Sequence, residues 1–479
     1  MLRRSLVIAS AKDAFDYCVS RTNPGVGRSH NLMLDHGKGS YVFDADGKKY
    51  LDFACGIGVT NLGHSHPRLI EAVKTQVDKA WHLQVCTGPH TALQKLIQKL
   101  ETIFPAPLSN FSFVTTGAEA VEAAMKLSRA ARPGRPNCAV LQGGYHGRTV
   151  GAASLTTSKF GYARGLRPLM PGVTVLPVPY TSQMALAPSA DVERMIDQAL
   201  EQVECLLFQT THPEEVSMLI AEPTLGEGGY VPLPRRYYQG LRNLCTKHGM
   251  LLCIDEVQSG FGRTGTMFNF EQLVSRDASG GFVESELPDV VIFAKGIANG
   301  MPIAGMVTRN ELAAQQVPGQ QGGTYAANPI ACASASEVVS IMTENGFLDN
   351  VNARAMQLRA ALQDAVSKNG MPVMEIRGRG LMLGLQFDGS CPVGTATQVA
   401  NKACEAGLII LPTSKFETIR LIPPLNVSEA EVTEGADILA KAMIDVTANM
   451  PKKQGAFRPC CAEGSQCYSA LGPCRDIYE

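Results

Sequence analysis

The chain has 479 residues, of which 45% are hydrophobic and 18% are charged. A chain of this length exceeds the size at which one hydrophobic core keeps growing, so two domains are expected. The formal net charge is -1 and no long basic block occurs, which argues against nucleic acid or an anionic membrane as the main partner. No apolar run approaches the roughly 18 residues that a membrane-spanning helix needs.

The first dozen residues, MLRRSLVIASAK, are basic and contain no acidic residue before Asp13. Arg3 and Arg4 stand among apolar residues, which is typical of a short mitochondrial presequence. We therefore predict a mitochondrial location, with a cytoplasmic protein that has an ordinary N-terminus as the alternative.

The segment at 39–59, GSYVFDADGKKYLDFACGIGV, alternates apolar and polar residues around an Asp-Gly pair. This pattern predicts a β-hairpin. The hairpin leads into Gly56, Ile57 and Gly58, where small residues let the backbone approach a ligand closely.

His64 and His66 follow this segment, and imidazole is a common metal ligand. Both residues precede Pro67, at a turn that begins a predicted helix. We interpret the two histidines as turn residues and predict no metal site.

A strand, a turn and a helix are predicted over Phe111–Arg129, FSFVTTGAEAVEAAMKLSR. The first turn of this helix, Thr116–Ala118, offers backbone N–H groups that have no partner within the helix. Together with the helix dipole, these groups form a binding site for a phosphate.

Two further strands end in polar residues that carry chemistry. Residues 250–255, MLLCID, form an apolar run that ends at Asp255, and residues 290–293, VVIF, form another that leads to Lys295. Open α/β sheets bind ligands outside the carboxyl ends of their strands, so both side chains are expected in one crevice. Burial lowers the pKa of a lysine and makes its amine a usable nucleophile for a carbonyl group.

A lysine amine, a buried carboxylate and a phosphate cradle together fit one cofactor, pyridoxal 5'-phosphate (PLP). The lysine would hold the aldehyde and the carboxylate would keep the ring nitrogen protonated, while the helix N-terminus would bind the phosphate. This combination predicts a PLP-dependent enzyme.

Four motifs carry a resemblance to a known family. They are GGYHGRT at 143–149, EPTLGEGG at 222–229, DEVQSGFGRTG at 255–265 and GGTYAANPIAC at 322–332. From about Gly37 to about Met443 the chain resembles the class III (ω-amino-acid) PLP-dependent aminotransferases, and among them most closely the 4-aminobutyrate aminotransferases.

The resemblance implies an α/β protein of PLP fold type I. Its large domain would hold a mostly parallel seven-stranded sheet, and a smaller C-terminal α+β domain would follow. We expect residues 1–60 to contribute to the small domain, residues 61–328 to form the large PLP-binding domain and residues 329–450 to form the C-terminal small domain. In that last part, helices are predicted at 346–369 and 395–406, and strands at 380–387 and 408–411.

The resemblance also implies roles around the cofactor ring. Lys295 would hold the aldehyde as a Schiff base, Asp255 would protonate the ring nitrogen, and Tyr145 would stack on the ring. Val257 would pack on the opposite face, and strand alternation is expected to send Asp255 and Val257 to the same side. Gln258 would reach the ring hydroxyl. The implied catalytic residues are Lys295, Asp255, Tyr145 and Glu227, and the implied cofactor-binding residues are Gly117, Ala118, Tyr145, Asp255, Val257, Gln258, Lys295 and Thr324.

Two positions bear on the cofactor phosphate. Gly117 and Ala118 stand where the family commonly has Gly-Ser, so one hydroxyl is missing and we expect weaker cofactor retention. Thr324 matches the residue that donates to the phosphate from the neighbouring subunit, which implies a homodimer or a higher oligomer.

Substrate recognition in the family uses a pair of arginines. Arg148 matches the arginine that grips the substrate carboxylate distal to the amine. Glu227 matches a gate that pairs with Arg420 when an ω-amino acid is bound and swings away so that Arg420 can hold the α-carboxylate of glutamate. Leu225 stands where the family often has glutamine. The implied substrate-binding residues are Ile57, Arg148, Glu222, Glu227 and Arg420.

The predicted reaction is transfer of the amino group of 4-aminobutyrate to 2-oxoglutarate, giving succinate semialdehyde and glutamate. An apolar Ile57 suits a substrate that has no second charged head. Alternatives are acetylornithine, ornithine or another ω-amino acid as the donor, an intramolecular aminomutase of the glutamate-1-semialdehyde type, and a cofactor-binding scaffold without activity.

Residues 451–479 differ in character from the rest. They hold Cys460, Cys461, Cys467 and Cys474 among Gly, Pro and Ser, with no apolar periodicity. This spacing fits a zinc site poorly, and we predict a disordered cysteine-containing tail.

Overall fold

The computed structural model describes residues 10–180, 191–413 and 416–448. Most of the predicted presequence, residues 1–9, lies outside the described residues. The predicted cysteine-containing tail, residues 451–479, lies outside them as well.

The helices alternate with strands through most of the chain. They are α1 (Ala11–Arg21), α2 (Cys55–Gly58), α3 (Pro67–Val77), α4 (Thr91–Glu101), α5 (Gly117–Ala131), α6 (Val150–Leu155), α7 (Val192–Thr210), α8 (Arg235–His248), α9 (Asn310–Ala313), α10 (Pro329–Met342), α11 (Phe347–Asn369), α12 (Thr395–Glu405) and α13 (Glu429–Thr447). The strands are β1 (Leu34–Lys38), β2 (Tyr41–Asp44), β3 (Lys49–Asp52), β4 (Asn110–Val114), β5 (Asn137–Leu141), β6 (Val173–Leu176), β7 (Val216–Ala221), β8 (Thr224–Leu225), β9 (Val231–Pro232), β10 (Leu251–Asp255), β11 (Val290–Phe293), β12 (Ala304–Thr308), β13 (Val373–Arg379), β14 (Met382–Phe387), β15 (Leu408–Ile409), β16 (Leu411–Pro412) and β17 (Thr418–Leu421).

A seven-stranded sheet in the order β4-β12-β11-β10-β7-β5-β6 forms the centre of the larger part. The neighbouring strands from β11 through β6 pair in parallel, whereas β12 runs antiparallel to both β11 and β4. The strands β7, β10 and β11 are buried along their whole length. Continuous apolar runs of this kind are expected where helices cover both faces of a parallel sheet. The predicted α/β fold with a mostly parallel seven-stranded sheet is confirmed.

The central strands place the two predicted chemical residues at the same edge of this sheet. In the β10–β11 pair, Asp255 is in register with Ile292, so both strands end at the same level. Lys295 follows β11 by two residues. The sheet therefore brings Asp255 and Lys295 into one crevice at the carboxyl ends of parallel strands.

The C-terminal part is built from helices α11 to α13 and a four-stranded sheet in the order β13-β14-β17-β16. Strands β2 and β3 form the predicted hairpin, with Tyr41 opposite Leu51, and β15 adds to β3 in parallel. The strand β13, Val373–Arg379, was not predicted from the sequence. The proposed domain boundaries stay a prediction.

Helix α2 is a single left-handed turn that precedes the region of the site. Four consecutive residues, Cys55–Gly58, have φ angles of 46°, 59°, 68° and 74°. Glycine adopts this conformation readily, but a β-branched residue such as Ile57 is strained in it by roughly 1–2 kcal/mol. The turn places the Ile57 side chain at the surface, where it is 42% exposed.

Within the three described ranges, none of the helices combines the length and the apolar character required to cross a membrane.

Candidate active site

Lys295 lies in a strained turn at the end of β11. Its φ angle is 48°, and Asn299, four residues later, also has a positive φ of 50°. The Asn299 side chain connects this turn to residues 62–63, because it accepts from Leu62 N–H at 2.7 Å and donates to the Gly63 carbonyl at 2.9 Å. The turn is thereby held rigidly against residues 62–63.

Several predicted site residues influence the pKa of the Lys295 amine. Burial lowers the pKa of the Lys295 amine, while the negative charges of Glu227, Glu222 and Asp255 oppose that shift and Arg420 adds to it. The charges of these four side chains influence the amine, so the structure places them in the same neighbourhood as Lys295. A lowered pKa increases the fraction of neutral amine, which is the form that attacks carbonyl groups and accepts protons.

Asp255 is almost fully buried and is held by two partners. Its Oδ2 lies 2.7 Å from His146 Nδ1, and its Oδ1 accepts from Val257 N–H at 3.0 Å. We expected strand alternation to place Asp255 and Val257 on the same side. That reasoning was wrong, because β10 ends at Asp255 and Val257 lies outside the strand. Val257 instead follows in a turn that the aspartate itself stabilises.

His146 is a functional residue that the sequence reasoning missed. The side chain is completely buried beside Asp255, and its second nitrogen, Nε2, has no hydrogen-bond partner among the residues that the structure describes. A histidine in this position fixes the orientation of the Asp255 carboxylate through this hydrogen bond. The signal was present in GGYHGRT, which we used only for its tyrosine and its arginine.

The Glu222 carboxylate binds backbone amides of two loops. Its Oε1 accepts from Tyr145 N–H at 2.7 Å and its Oε2 accepts from Gly226 N–H at 2.9 Å. Burial raises the pKa of Glu222 to about 7, and the nearby Asp255 adds to that effect. Since both oxygens bind backbone amides, Glu222 positions Tyr145 and the 226–229 loop. Its direct contact with substrate stays a prediction.

The N-terminus of α5 has the geometry predicted for a phosphate cradle. Thr116 caps the helix, and its partner Glu119 accepts from the N–H groups of Thr115 and Thr116 at 3.1 and 2.7 Å. The amides of Gly117 and Ala118 lie in the first turn, where no carbonyl of the helix can reach them. They are the donors that remain available for an anion.

Two glycines allow three segments to pack closely around the start of α5. A Cβ on Gly117 would lie 3.2 Å from Val257 Cγ1, and a Cβ on Gly147 would lie 2.6 Å from the Ala118 side chain. Gly147 also has a φ of 124°, which side chains rarely allow. The first turn of α5, the turn after β10 and the loop after β5 therefore meet at very close range.

Glu227 and Arg420 form the predicted gate pair. Arg420 NH1 donates to Glu227 Oε1, and Tyr162 OH donates to Glu227 Oε2 at 3.0 Å. Burial opposes the ionisation of Glu227, but the charge and hydrogen bond of Arg420 outweigh it and lower the pKa of Glu227. The carboxylate is therefore ionised and held on both oxygens. Tyr162 was not predicted.

Arg148 and Tyr145 lie next to this gate. Arg148 Nε donates to Tyr145 OH at 3.1 Å, and its guanidinium carbon lies 5.4 Å from the centre of the Tyr162 ring. The two tyrosine rings meet edge to face at 5.3 Å. Arg148 is exposed to solvent.

Gln258 carries an unpaired buried atom. The residue is 7% exposed, and within the described part of the chain its Oε1 has no hydrogen-bond partner. A buried polar atom without a partner costs free energy, so its presence beside the Asp255 turn points to a group that binds there. Leu225 is fully buried in the main core, which accounts for its apolar character.

Two of the predicted site residues, Thr324 and Ile57, make no side-chain hydrogen bond to the other site residues in the described part of the chain. Thr324 is exposed in the loop before α10, and Ile57 is exposed on the left-handed turn. The neighbour of Ile57, Gly58, does approach the cluster, since a Cβ on it would lie 3.5 Å from Gln258 Cγ. The roles of Ile57 and Thr324 stay predictions.

A comparison with protein families decides how this arrangement is classified. The sequence model of the family described as "Aminotransferase class-III" matches residues 23–443. The chain belongs to the class-III aminotransferases. The predicted family is confirmed, and aminotransferase activity follows from it.

Characterised relatives of this class-III aminotransferase act on different donors, according to their names. It is 36% identical to the 5-aminovalerate aminotransferase DavT of Pseudomonas putida, over 88% of this chain and 96% of that protein. It is 34% identical to the 4-aminobutyrate aminotransferase GabT of Escherichia coli, over 87% of this chain and 94% of that protein. An acetylornithine aminotransferase of Listeria innocua is 35% identical, over 85% of this chain and 94% of that protein.

Solved structures agree with the fold and the cofactor. An amine transaminase from an uncultivated Pseudomonas species, solved in its PLP-bound form, superimposes with a TM-score of 0.80 at 28% identity. The match covers 89% of this chain and 98% of that chain. Pyridoxal 5'-phosphate is the cofactor of this class-III aminotransferase.

The residues present in the crevice fit this cofactor. The free amides of Gly117 and Ala118 suit a phosphate, and the Asp255 carboxylate, ordered by His146, suits a protonated ring nitrogen. The unpaired Oε1 of Gln258 marks a place for a polar ring substituent. The amine of Lys295 is buried within the electrostatic field of Asp255, Glu222 and Glu227.

Glu256 gives this aminotransferase a testable pH dependence. Its fully buried carboxyl accepts from Ser259 OH at 2.5 Å and from Phe270 N–H at 2.7 Å, and burial raises the pKa from 4.5 to about 8. Between these values the unfolded chain releases a proton that the folded chain keeps, so the free energy of unfolding falls as pH rises. We expect Glu256→Gln to raise Tm relative to the wild type increasingly between about pH 5 and about pH 8.

Thermal unfolding followed by circular dichroism measures this difference at several pH values. Glu201→Gln, a change of an exposed glutamate on α7, serves as the matched control and should show a Tm difference that does not grow with pH. A Tm difference for Glu256→Gln that is the same at every pH would contradict the assignment of a buried protonated carboxyl.

Proposed function

We propose that this enzyme transfers the amino group of 4-aminobutyrate to 2-oxoglutarate, giving succinate semialdehyde and glutamate. The observation that carries the proposal is the pairing of Glu227 with Arg420. With Arg420 paired, the exposed guanidinium of Arg148, which lies beside Tyr145 and Tyr162, remains available to a substrate. That arrangement suits a donor that has one carboxylate, placed far from its amine.

The side chains of the crevice then have distinct tasks. Lys295, whose pKa is lowered by burial, is the group that takes the proton from the amine-bearing carbon of the substrate. Asp255, held by His146, would keep a proton on the ring nitrogen of the bound cofactor. When bound, PLP supplies the electron sink that makes removal of that proton feasible. Tyr145 would cover the cofactor ring and limit the entry of water.

The second substrate needs a different charge layout. 2-Oxoglutarate and glutamate carry two carboxylates, of which Arg148 would bind one. Rotation of Glu227 away from Arg420 would free the second guanidinium for the other carboxylate. A single site would thus serve both half-reactions.

Neighbouring donors are the second candidate, because relatives at similar identity are named for 5-aminovalerate and for acetylornithine. These donors share a distal amine and differ in length and in the group at the far end. An apolar side chain at Ile57 favours a short donor without a second charged head. An aminomutase would complete its reaction without a keto acid, which separates it from this proposal.

We also propose a homodimer. Trp81, Leu83 and Tyr325 are 69%, 46% and 65% exposed, and they form one apolar area that we call the Trp81 patch. The patch is continuous, because Asn328 donates to the Trp81 carbonyl at 3.0 Å and His82 contacts the Tyr325 ring. Large exposed apolar areas mark interaction surfaces, and Thr324 stands beside this one. Light scattering after size exclusion tests the oligomeric state, and a monomer would contradict the proposal.

A half-reaction assay tests the substrate. The purified enzyme is mixed separately with 4-aminobutyrate, 5-aminovalerate, acetylornithine, ornithine or β-alanine while the visible absorbance of the bound cofactor is followed. We expect the fastest change with 4-aminobutyrate and restoration of the band by 2-oxoglutarate. A faster change with acetylornithine or ornithine would overturn the donor assignment and leave the family and the cofactor standing.

Arg148→Ala should raise the KM for 4-aminobutyrate by about 10- to 100-fold, because a charge-assisted contact with the carboxylate is lost. The kcat/KM for butylamine, which has no carboxylate, should change little. Steady-state kinetics with the two donors measures the difference. Arg236→Ala, which removes a surface arginine paired with Glu193 at 2.8 Å, is the control. Equal losses for both donors would contradict the role of Arg148.

A further inference from the structure

Tyr162 ends a short 3-10 turn, Phe160–Tyr162, and its hydroxyl reaches the gate. It donates to Glu227 Oε2 at 3.0 Å, while the other oxygen of the same carboxylate accepts from Arg420. Glu227 is therefore held from two sides by two different elements. Burial and the charge of Glu227 raise the pKa of Tyr162, so the phenol stays protonated and remains a donor.

The backbone of the gate loop is fixed independently of Tyr162. Gly226 N–H donates to Glu222 at 2.9 Å at one end of the loop, and the Gly229 carbonyl accepts from Arg377 Nε at 2.9 Å at the other end. Gly229 N–H also donates back to the Gly226 carbonyl at 3.1 Å. The loop is thus closed upon itself and anchored at both ends.

An anchored backbone limits how the gate can open. For Arg420 to be freed, the Glu227 side chain must rotate while its backbone stays in place. Such a rotation moves Oε2 away from the Tyr162 hydroxyl, since that bond of 3.0 Å tolerates little displacement. The hydroxyl of Tyr162 therefore stabilises the paired state of Glu227 and Arg420 and contributes nothing to the open state.

We propose that Tyr162 is a positioning residue that sets the equilibrium between the paired and open states of the gate, and through it the relative affinity for the one-carboxylate donor and the two-carboxylate substrate. This inference rests on the proposed function. A ligand that binds only the open state has an apparent affinity that is reduced in proportion to the fraction of open molecules. The hydroxyl of Tyr162 thus weakens the apparent binding of glutamate and 2-oxoglutarate.

The contacts of the Tyr162 ring allow the hydroxyl to be tested alone. The ring meets Tyr145 edge to face and lies against the guanidinium of Arg148, and both contacts survive in phenylalanine. Tyr162→Phe should therefore remove one hydrogen bond without removing the packing. Tyr50→Phe, which removes a hydroxyl that donates to Asp44 at 2.9 Å away from the site, is the matched control.

The test measures the two half-reactions separately by stopped-flow absorbance. For Tyr162→Phe we expect the concentration of glutamate that gives half-maximal rate to fall by about fivefold to tenfold, with the maximal rate retained. The kcat/KM for 4-aminobutyrate should stay equal or fall. General damage to the site would instead slow both half-reactions, and Tyr50→Phe should alter neither.

A second variant isolates the partner. In a Glu227→Ala background the gate carboxylate is absent, so adding Tyr162→Phe should no longer change the glutamate half-reaction. An equal effect of Tyr162→Phe with and without Glu227 would overturn the inference, as would an unchanged glutamate half-reaction in the single variant. A wild-type enzyme that leaves 4-aminobutyrate unconverted would contradict the proposed function instead.

Discussion

Lys295→Ala is expected to abolish transamination, lowering kcat by at least about 10⁴-fold, because the same amine acts as nucleophile and as proton carrier. The buried amine of Lys295 lies within the electrostatic influence of Glu222, Glu227 and Asp255. The variant should keep its fold, since the change shortens a side chain at the edge of the sheet. Single-turnover kinetics with 4-aminobutyrate, together with the visible spectrum, measures the loss.

Lys247→Ala serves as the control for this prediction. Lys247 is exposed on α8 and pairs with Glu204 at the surface, so its loss should leave kcat unchanged. If Lys295→Ala retained more than about a hundredth of the wild-type rate, the central role of Lys295 would be contradicted.

Asp255→Asn should lower kcat by about 10²- to 10³-fold with little change in fold. Asparagine keeps the shape and can still accept from Val257 N–H, but it loses the negative charge that a protonated ring nitrogen needs. It also leaves His146 beside a neutral amide at a buried position. Steady-state kinetics and circular dichroism separate the loss of rate from any loss of structure.

An aspartate–histidine pair at the surface provides the control. Asp35 Oδ2 lies 2.8 Å from His36 Nδ1, and both side chains are exposed. Asp35→Asn should therefore leave kcat and fold unchanged. A rate for Asp255→Asn within about threefold of the wild type would show that the charge of Asp255 is not needed.

The sequence predicted the sheet and its chemical edge because local patterns carried that information. Apolar runs that are too short for helices identified β10 and β11, and the polar residue at each end identified Asp255 and Lys295. Parallel strands bring their carboxyl ends to one edge, so the neighbourhood of these residues followed from topology alone. The capped start of α5 could be recognised in the same way.

Contacts between distant segments could not be predicted in this way. His146 meets Asp255 across 109 positions of the chain, and Tyr162 meets Glu227 across 65. His146 lies inside a motif that was recognised, but the local sequence around neither residue shows which distant side chain it meets. Only the fold shows that the loop after β5 and the Phe160–Tyr162 turn converge on the crevice.

The missed strand β13 has a different cause. Its sequence, VMEIRGR, contains three charged residues and a glycine. It therefore departs from the alternation of apolar and polar residues that is typical of a half-buried strand. Arg377 is nevertheless fully buried, because it binds the Gly229 carbonyl and Gln386. Tertiary partners therefore allow a strand at a place where the local sequence favours a loop.

The measurement that tests the account most directly is chemical labelling of the cofactor attachment point. The purified enzyme is treated with sodium borohydride, digested and analysed by mass spectrometry. The account predicts a phosphopyridoxyl group on the peptide that contains Lys295, and its loss in Lys295→Ala. Labelling of a different lysine in the wild-type enzyme would contradict the assignment of this crevice as the active site.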